Sequence, residues 1–519
     1  MKEYLKRLHR ACARLASASA ALLLSACAVL PHDVERTPSK AGVLTPSTQL
    51  GALVPEREVS EGFSGFRLLP SPDFAFDARV QLLTRAQQTL DVQYYEIADD
   101  QSGRNVLCRL RDAARRGVRV RLLIDDLHTT GEDTLLLGLA AEPGVEVRLF
   151  NPFPAARDSV GSRLLLSLFD VRRVNRRMHN KMMIADGAFA VVGGRNIGDE
   201  YFLRSASTTF LDLDVLASGA LVPQLSDIFD RYWNADPSYP IEAIASSGLT
   251  LEERRQSFGE QACATVPEPV LPTTDFLDQR SLGEDLRQGT LNLVWGRANA
   301  IADDPDKALG HRVDSVRHRV RELVRRATRE VVVTTPYLVP GPEGMETLRG
   351  MHERGVRVDI LTNSLAAIDE PFAFVGYLRY RTDMLQLGAE IHEIAPSRVT
   401  QSHRLRHFAD SSGRLHAKSV VIDRETVFIG SMNLDPRSET HNTEMGILIS
   451  SPQIARQMLE VFDHVKRDGA YRVRLRDDGA TEWLSDRQGD AALVEEPETR
   501  LWNRFLLRLL QPLVPEDLL

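Results

Sequence analysis

The sequence predicts an α/β protein of two homologous lobes, each a mixed β-sheet flanked by helices, related by a pseudo-two-fold. Two observations carry this. A helix, a glycine stop and a Val/Leu/Ile strand occur in succession at "AARRGVRVRLLIDD" (Ala113 to Asp126) and again at "MHERGVRVDILTN" (Met351 to Asn363). Units of this kind build parallel or mixed sheets. More specifically, "MHNKMMIADGAFAVVGGRN" (Met178 to Asn196) is echoed within "GRLHAKSVVIDRETVFIGSMN" (Gly413 to Asn433). His179, Lys181, Asp186, Gly193 and Asn196 each find a counterpart 237 positions later: His416, Lys418, Asp423, Gly430 and Asn433. Five specified positions, each met about one time in twenty, coincide by chance roughly once in a few million placements. The chain therefore contains itself twice.

The elements follow in order. Lys2, Lys6, Arg7, Arg10 and Arg14 precede a short uncharged run, Leu15 to Leu24, and then "LSAC" ending at Cys27. A basic n-region, a short apolar stretch and small residues make an export signal, too short for a spanning helix. Residues 1–26 are read as a lipoprotein signal. The "LSAC" ending resembles a bacterial lipobox, which implies cleavage before Cys27 and lipidation of its thiol. An uncleaved anchor and a plain secretory signal are the alternatives, and all three export the protein. Ala28 after the cysteine favours the outer membrane on the periplasmic side. Residues 27–62 are rich in Pro, Ser, Thr and Gly and read as a flexible lipidated tether. Ordered structure is expected from Phe63. Lobe 1 spans 63–245 and lobe 2 spans 311–475. Residues 246–310 between them read as a connector, and 476–519 as a C-terminal tail.

Composition excludes some function classes. A hydrophobic fraction of 43% in 519 residues is ample for two cores. The net charge is −8, and loss of residues 1–26, with five basic residues and one acid, takes it to −12. Proteins that track nucleic-acid phosphates carry a basic surplus, so no nucleic-acid partner is expected. Of the four cysteines, Cys108 and Cys263 fall in the folded part; whether they pair is not decided by sequence. No Cys/His cluster has metal-ligand spacing, and no metal or cofactor is expected.

On an extended chain, residues i and i+2 share a face. His179 with Lys181, and His416 with Lys418, would each aim an imidazole and an ammonium into one space. Small residues, Gly193-Gly194 and Gly430-Ser431, close the following strand, and Asn196 and Asn433 add amide donors. Two such sets meeting across a two-fold suit a phosphodiester. Cations and donors stabilise its oxygens, one imidazole attacks phosphorus, and the other serves the leaving group as acid.

These paired stretches resemble the signature of the phospholipase D superfamily, over most of 63–475. The resemblance implies two phospholipase-D-like lobes with the site between them and a covalent phosphohistidine. It implies His179 as nucleophile and His416 as acid/base, the reverse remaining open. It makes Lys181, Lys418, Asn196, Asn433, Gly194 and Ser431 substrate-binding, and groups Asp186 and Asp423 with the catalytic set, with a structural role favoured. Asp212 ("FLDLDV") and Glu444 ("NTEMGI") fall where the family orients each histidine; Asp214 rivals Asp212. "DVQYYEIADDQSG", "GGRNIGDEYF", "TPYLVPGPEGM" and "GSMNLDPRSETHNTE" resemble bacterial cardiolipin synthases, the C-type layout most of all. That implies transfer of a phosphatidyl group to phosphatidylglycerol at a membrane surface, with phosphatidylethanolamine a possible donor. The alternatives are a phospholipase D that hydrolyses with water and a non-catalytic lipoprotein scaffold. The sequence names no accessory protein. Arg172, Arg173, Arg176 and Arg177 are candidates for an anionic headgroup entrance. Near the C-terminus Leu501, Trp502, Phe505, Leu506, Leu509 and Leu510 form one helical face, with Arg500, Arg504 and Arg508 beside it. The pattern fits an interfacial helix or one docked on its own domain.

Overall fold

The computed structural model describes residues 30–499, except 32, 155–156, 167–169, 203, 206–207, 264–270, 276, 403–404, 406–411 and 486–490. The export signal, Cys27 and the amphipathic stretch from Arg500 lie outside the described residues.

Lobe 1 contributes β1 (Ser64–Leu69), β2 (Thr89–Tyr94), β3 (Arg119–Asp125), β4 (Val145–Phe150), β5 (Met182–Ala185), β6 (Phe189–Gly193), β7 (Thr208–Leu211), β8 (Asp214–Gly219) and β9 (Ser238–Pro240). Lobe 2 contributes β10 (Val294–Ala302), β11 (Glu330–Thr334), β12 (Arg357–Asn363), β13 (Glu390–Ile394), β14 (Ser412–Leu415), β15 (Ser419–Ile422), β16 (Thr426–Gly430), β17 (Met445–Ser450), β18 (Ala470–Leu475) and β19 (Thr481–Leu484). The sheet of lobe 1 runs β9-β4-β3-β2-β5-β6-β8-β1. That of lobe 2 runs β18-β13-β12-β11-β15-β16-β17-β10 in the same order, with β19 added outside β18. Strands β2, β3 and β4 are mutually parallel, as are β11, β12 and β13; the other pairings within the two sheets are antiparallel.

The repeated glycine stops explain the parallel part. The helix Gln101–Arg115 starts with the Asp100 carboxylate accepting the Gly103 N–H, and the chain reverses at Gly117, φ 94°. Gly355, φ 71°, does the same before β12. Left-handed backbone there favours glycine. The two lobes join through their equivalent edges, with β1 pairing antiparallel to β10. A second seam is the parallel ribbon of β7 with β14. One apolar core, including Phe66, Met182, Val215, Val421, Ile447 and Phe462, runs through both lobes.

Three boundaries differ from the sequence reading. The 27–62 stretch is not a free tether over its length. Arg148 donates to the Thr37 carbonyl, Arg121 to the Ser39 hydroxyl, and the Ala41 N–H to the Asp230 carboxylate. Leu50 is buried in the core of lobe 1. A polar composition suggests solvation, but lobe 1 supplies arginines and a carboxylate that satisfy an extended backbone. The connector is also more structured than expected. It holds the helices Leu251–Ala262 and Leu282–Gln288, and β10 belongs to the sheet of lobe 2. β10 is paired on both edges, to β1 and to β17, and its residues Arg297 and Asn299 are exposed with Ala298 and Ala300 half-buried between and after them. At the far side, β19 carries the sheet of lobe 2 past residue 475. Cys108 and Cys263, left open by sequence, form a disulfide with 5.3 Å between Cα atoms.

Candidate active site

The two His-x-Lys segments stand in extended chain just ahead of β5 and β15 rather than within the strands. Each segment is held by the opposite lobe. The His179 N–H donates to the Thr443 carbonyl, and the next residue, Glu444, places its carboxylate 2.9 Å from His179 Nδ1. The His416 N–H donates to the Leu211 carbonyl, and the next residue, Asp212, places its carboxylate 2.6 Å from His416 Nδ1. One dipeptide thus grips both the backbone and the ring of each histidine. With Nδ1 taken, Nε2 is the nitrogen left for the cavity. Lys181 donates to the His179 carbonyl at 2.7 Å, and Lys418 to that of His416. Each ammonium thus turns back on its own histidine, and the lysines sit behind the residues that line the cavity.

The supporting residues divide the predicted set. Gly194 and Ser431 are buried behind the carboxylates and are not among the residues lining the cavity. A Cβ at Gly194 would fall 2.1 Å from an Asp212 oxygen, so glycine makes room for that carboxylate. Ser431 donates to Glu444 instead, and Ser438 donates to its other oxygen at 2.8 Å. Both positions hold the orienting carboxylates. Asp214, the rival of Asp212, is bound to Arg79 at 2.9 Å and Arg195 at 3.2 Å. Asp186 and Asp423 lie at the far ends of β5 and β15. The Asp186 carboxylate accepts the N–H groups of Gln87, Gln88 and Thr89. Asp423 accepts those of Thr328, Arg329 and Glu330. Both sit at φ 53°, a left-handed turn that Asp tolerates. They secure the entry to β2 and β11, away from the histidines.

His179, His416, Asn196 and Asn433 line one cavity of about 450 Å³. Asn196 donates to the Tyr201 hydroxyl at 3.0 Å. The side-chain oxygens of Asn196 and Asn433 are buried without a partner. Other parts of the wall carry groups the sequence reading did not single out, among them Tyr95, Glu96, His128, Asp369, Glu370 and Arg437. The Tyr95 ring stands edge-on to His179 at 5.0 Å and to His128 at 4.9 Å. Tyr95 and Glu96 lie in the quoted "DVQYYEIADDQSG", directly after β2, which was the available signal. The four arginines before His179 do not form a free entrance. Arg177 is buried against Asp125 at 3.3 Å, and Arg173 binds Asp170 at 2.6 Å; Arg172 is exposed.

Electrostatics separate the two histidines. Burial, then Lys181, Lys418 and His416, hold His179 well below the ordinary imidazole range. His416 is lowered by burial and Lys418, while Asp212 opposes the shift. Burial works to raise Asp212, but His416 and Lys418 bring it down to about 2, so it is ionised at neutral pH. Burial pushes the Glu444 carboxyl up, against the pull of Lys181. Burial lowers Lys418 to about 8 and Lys181 well below its usual value. The His179 ring is therefore the more firmly neutral, and His416 has the stronger counter-charge for a proton. No group of His, Cys, Asp and Glu among the described residues could hold a metal ion.

The family described as "Cardiolipin synthase, PLD-like domain" matches residues 80–233 and 320–466, one segment in each lobe. The chain is 39% identical to cardiolipin synthase C of Escherichia coli strain K12 over 462 residues, 86% of this chain and 94% of that protein. It is 24% identical to a cardiolipin synthase of Staphylococcus aureus strain Mu50, covering 81% and 70% of the two chains. Phosphatidylserine synthase of Haemophilus influenzae Rd KW20 has a similar fold, with a TM-score of 0.57 at 14% identity, over 91% of this chain and all of that one.

Proposed function

From the premise that the chain belongs to the cardiolipin synthase, PLD-like domain family, we propose that it is a membrane-attached phosphatidyltransferase that makes cardiolipin. The observation that carries this is the crossed grip: two histidines, each oriented by a carboxylate of the other lobe, open on one cavity.

In the proposed first half-reaction His179 Nε2 attacks the phosphorus of a phospholipid. A P–N bond forms, the P–O bond to the headgroup breaks, and the leaving oxygen takes a proton from His416 Nε2. His179 suits attack because its surroundings keep it neutral. His416 suits the acid because Asp212 stabilises its imidazolium. Lys181, Lys418, Asn196 and Asn433 surround the charge that develops on the phosphoryl oxygens. An incoming phosphate anion favours the protonated lysines, offsetting their burial. In the second half-reaction His416 takes the proton of a phosphatidylglycerol hydroxyl, whose oxygen attacks phosphorus and breaks the P–N bond.

Glu96, Glu200, Asp369 and Glu370 line the same cavity. Burial first, and neighbouring carboxylates for Glu200 and Glu370, push these two carboxyls up. A cationic headgroup relieves such crowding, which supports phosphatidylethanolamine as donor. The membrane attachment follows from the lipobox-like "LSAC". No helix among the described residues is long and apolar enough to cross a membrane.

The test is reconstitution with phosphatidylethanolamine and phosphatidylglycerol, with lipid products read by mass spectrometry. Cardiolipin is expected, with loss of product in His179→Ala and in His416→Ala. Phosphatidic acid without cardiolipin would assign the protein to hydrolysis. Unchanged turnover in either variant would remove the mechanism.

A further inference from the structure

The course of the N-terminal segment over lobe 1 has a direction. Arg36 Nε donates to the Ser238 carbonyl at 3.1 Å, and Ser238 pairs with Phe150 at the C-terminal end of β4. From there the segment runs past Arg148, Arg121 and Arg119 to reach Gln88 and Gln87, at the start of β2. It therefore leaves lobe 1 toward the N-terminus at the end where the parallel strands finish. That end is also the site's: Tyr95 and Glu96 follow β2, and the Asp125 carboxylate closing β3 accepts the Met178 N–H. Strands lie about 4.8 Å apart, so the exit at Ser238 of β9, three strands from β2, is about 14 Å across the sheet from it.

Docking changes the reach of an anchor on Cys27. Were the whole 27–62 stretch free, its contour would allow roughly 120 Å. Arg36 comes only nine residues after Cys27, which allows about 30 Å.

The same end carries exposed apolar side chains. Four of the nine large ones exposed among the described residues lie there: Val160 (60%), Val171 (52%), Leu309 (42%) and Phe372 (52%). Contacts tie them to one rim. Phe372 and Arg437 line the cavity, and Arg437 donates to Asn175, the cap of the short helix that carries Val171. Leu309 precedes Gly310, which lies against the Arg176 guanidinium. Arg163, in the helix begun by Val160, donates to the Asp126 carbonyl just past β3. Arg172 stands exposed beside Val171.

We propose that the docked segment is a strap that turns the cavity mouth toward the bilayer, and that Val160, Val171, Leu309 and Phe372 form the lipid-facing rim. This rests on the lipid anchor proposed above. A short tether, a shared exit and an apolar rim with a flanking cation then act together on a lipid surface. Leaving the bilayer with a whole phospholipid would expose its acyl chains, so a mouth against the membrane suits a lipid substrate.

The test uses the full acylated chain on vesicles of phosphatidylethanolamine and phosphatidylglycerol with brominated acyl chains. An environment-sensitive fluorophore is placed at Val171→Cys or at Glu353→Cys. Glu353 is exposed just before β12, at the opposite end. Several-fold stronger quenching at 171 than at 353 is expected. A flexible insert of twenty residues after Val34 should at least halve the difference. Equal quenching at both positions in acylated protein overturns the orientation and leaves the anchor standing. Quenching that ignores the insert overturns the strap. An unmodified Cys27 by mass spectrometry overturns the anchor and this inference with it. A label at 171 that is shielded in a dimer of the chain, and unquenched by lipid, assigns the rim to a second copy and overturns the proposal.

Discussion

His416 Nδ1 stands 2.6 Å from an Asp212 carboxylate oxygen, although the two residues lie 204 positions apart in different lobes. The carboxylate is ionised at neutral pH, held at about 2 by His416 and Lys418 against its burial. Its charge favours the imidazolium that an acid catalyst must become. The lobes therefore depend on each other for chemistry as well as for packing, because neither completes a histidine–carboxylate pair alone.

Asp212→Asn keeps the shape of the side chain and removes the charge. We expect kcat to fall about 10²- to 10⁴-fold, the range of a lost general acid. The fall should be much smaller for a phosphatidyl ester of p-nitrophenol, whose leaving oxygen needs no proton. Comparing the two substrates checks this. An equal loss on both would make Asp212 a folding residue only.

The pH profile follows from the buried lysine. Lys418 loses its proton near pH 8 in the free protein, and with it the charge that meets phosphate. We expect kcat/KM to decline above pH 8, and Lys418→Arg to move that limb upward. Stability should move the other way. The unfolded chain holds its lysine proton to about pH 10.4, so between 8 and that value it binds more protons than the folded chain, and stability rises with pH. At the acid end His179, lowered by burial and the lysines, refuses a proton that the unfolded imidazole accepts below about pH 6.5. Stability should fall as pH drops from there toward the folded value. Denaturant midpoints and steady-state rates on one pH series test both signs.

Asp186 separates structure from catalysis. Its fully buried carboxylate accepts three backbone N–H groups at the entry to β2. Asp186→Ala should cost about 1–3 kcal/mol by stranding those donors. Asp423→Ala should cost less, because its equivalent carboxylate is only half-buried. Thermal denaturation should register both losses, while kcat per folded molecule stays within a few-fold. A collapse of kcat at unchanged stability would return Asp186 to the chemistry.

The two lobes were legible in the sequence because a repeat preserves spacing, and His179, Lys181, His416 and Lys418 because their spacing sets a shared face. Asp212 and Glu444 were found through the resemblance, since no spacing rule links residues that meet only across lobes. Glu96, His128, Asp369 and Glu370 escaped notice for the same reason. Loops after strand ends bring them to the cavity, and loops carry no periodicity. For Gly194 and Ser431 the motif marks close-approach positions, but only coordinates show that a carboxylate approaches each. β10 was hidden because its inward side chains are small, Ala298 and Ala300 beside exposed Arg297 and Asn299, and give little apolar contrast.

The Cys108–Cys263 bond closes a separation of 155 residues and ties the helix Gln101–Arg115 to the end of the helix Leu251–Ala262. Without it, the connector helix is held to lobe 1 by packing such as Phe258 against Gly138. Cross-linking so long a loop restricts the unfolded chain more than a short one would, so Cys263→Ser should lower stability by about 2–4 kcal/mol. The bond lies in the outer helices and touches none of the residues that orient His179 or His416. Activity per folded molecule should therefore survive, in the variant and under mild reductant alike, while the denaturation midpoint falls in both. A loss of kcat that precedes unfolding would show that the connector helix communicates with the cavity, and would place the disulfide among the supports of the site.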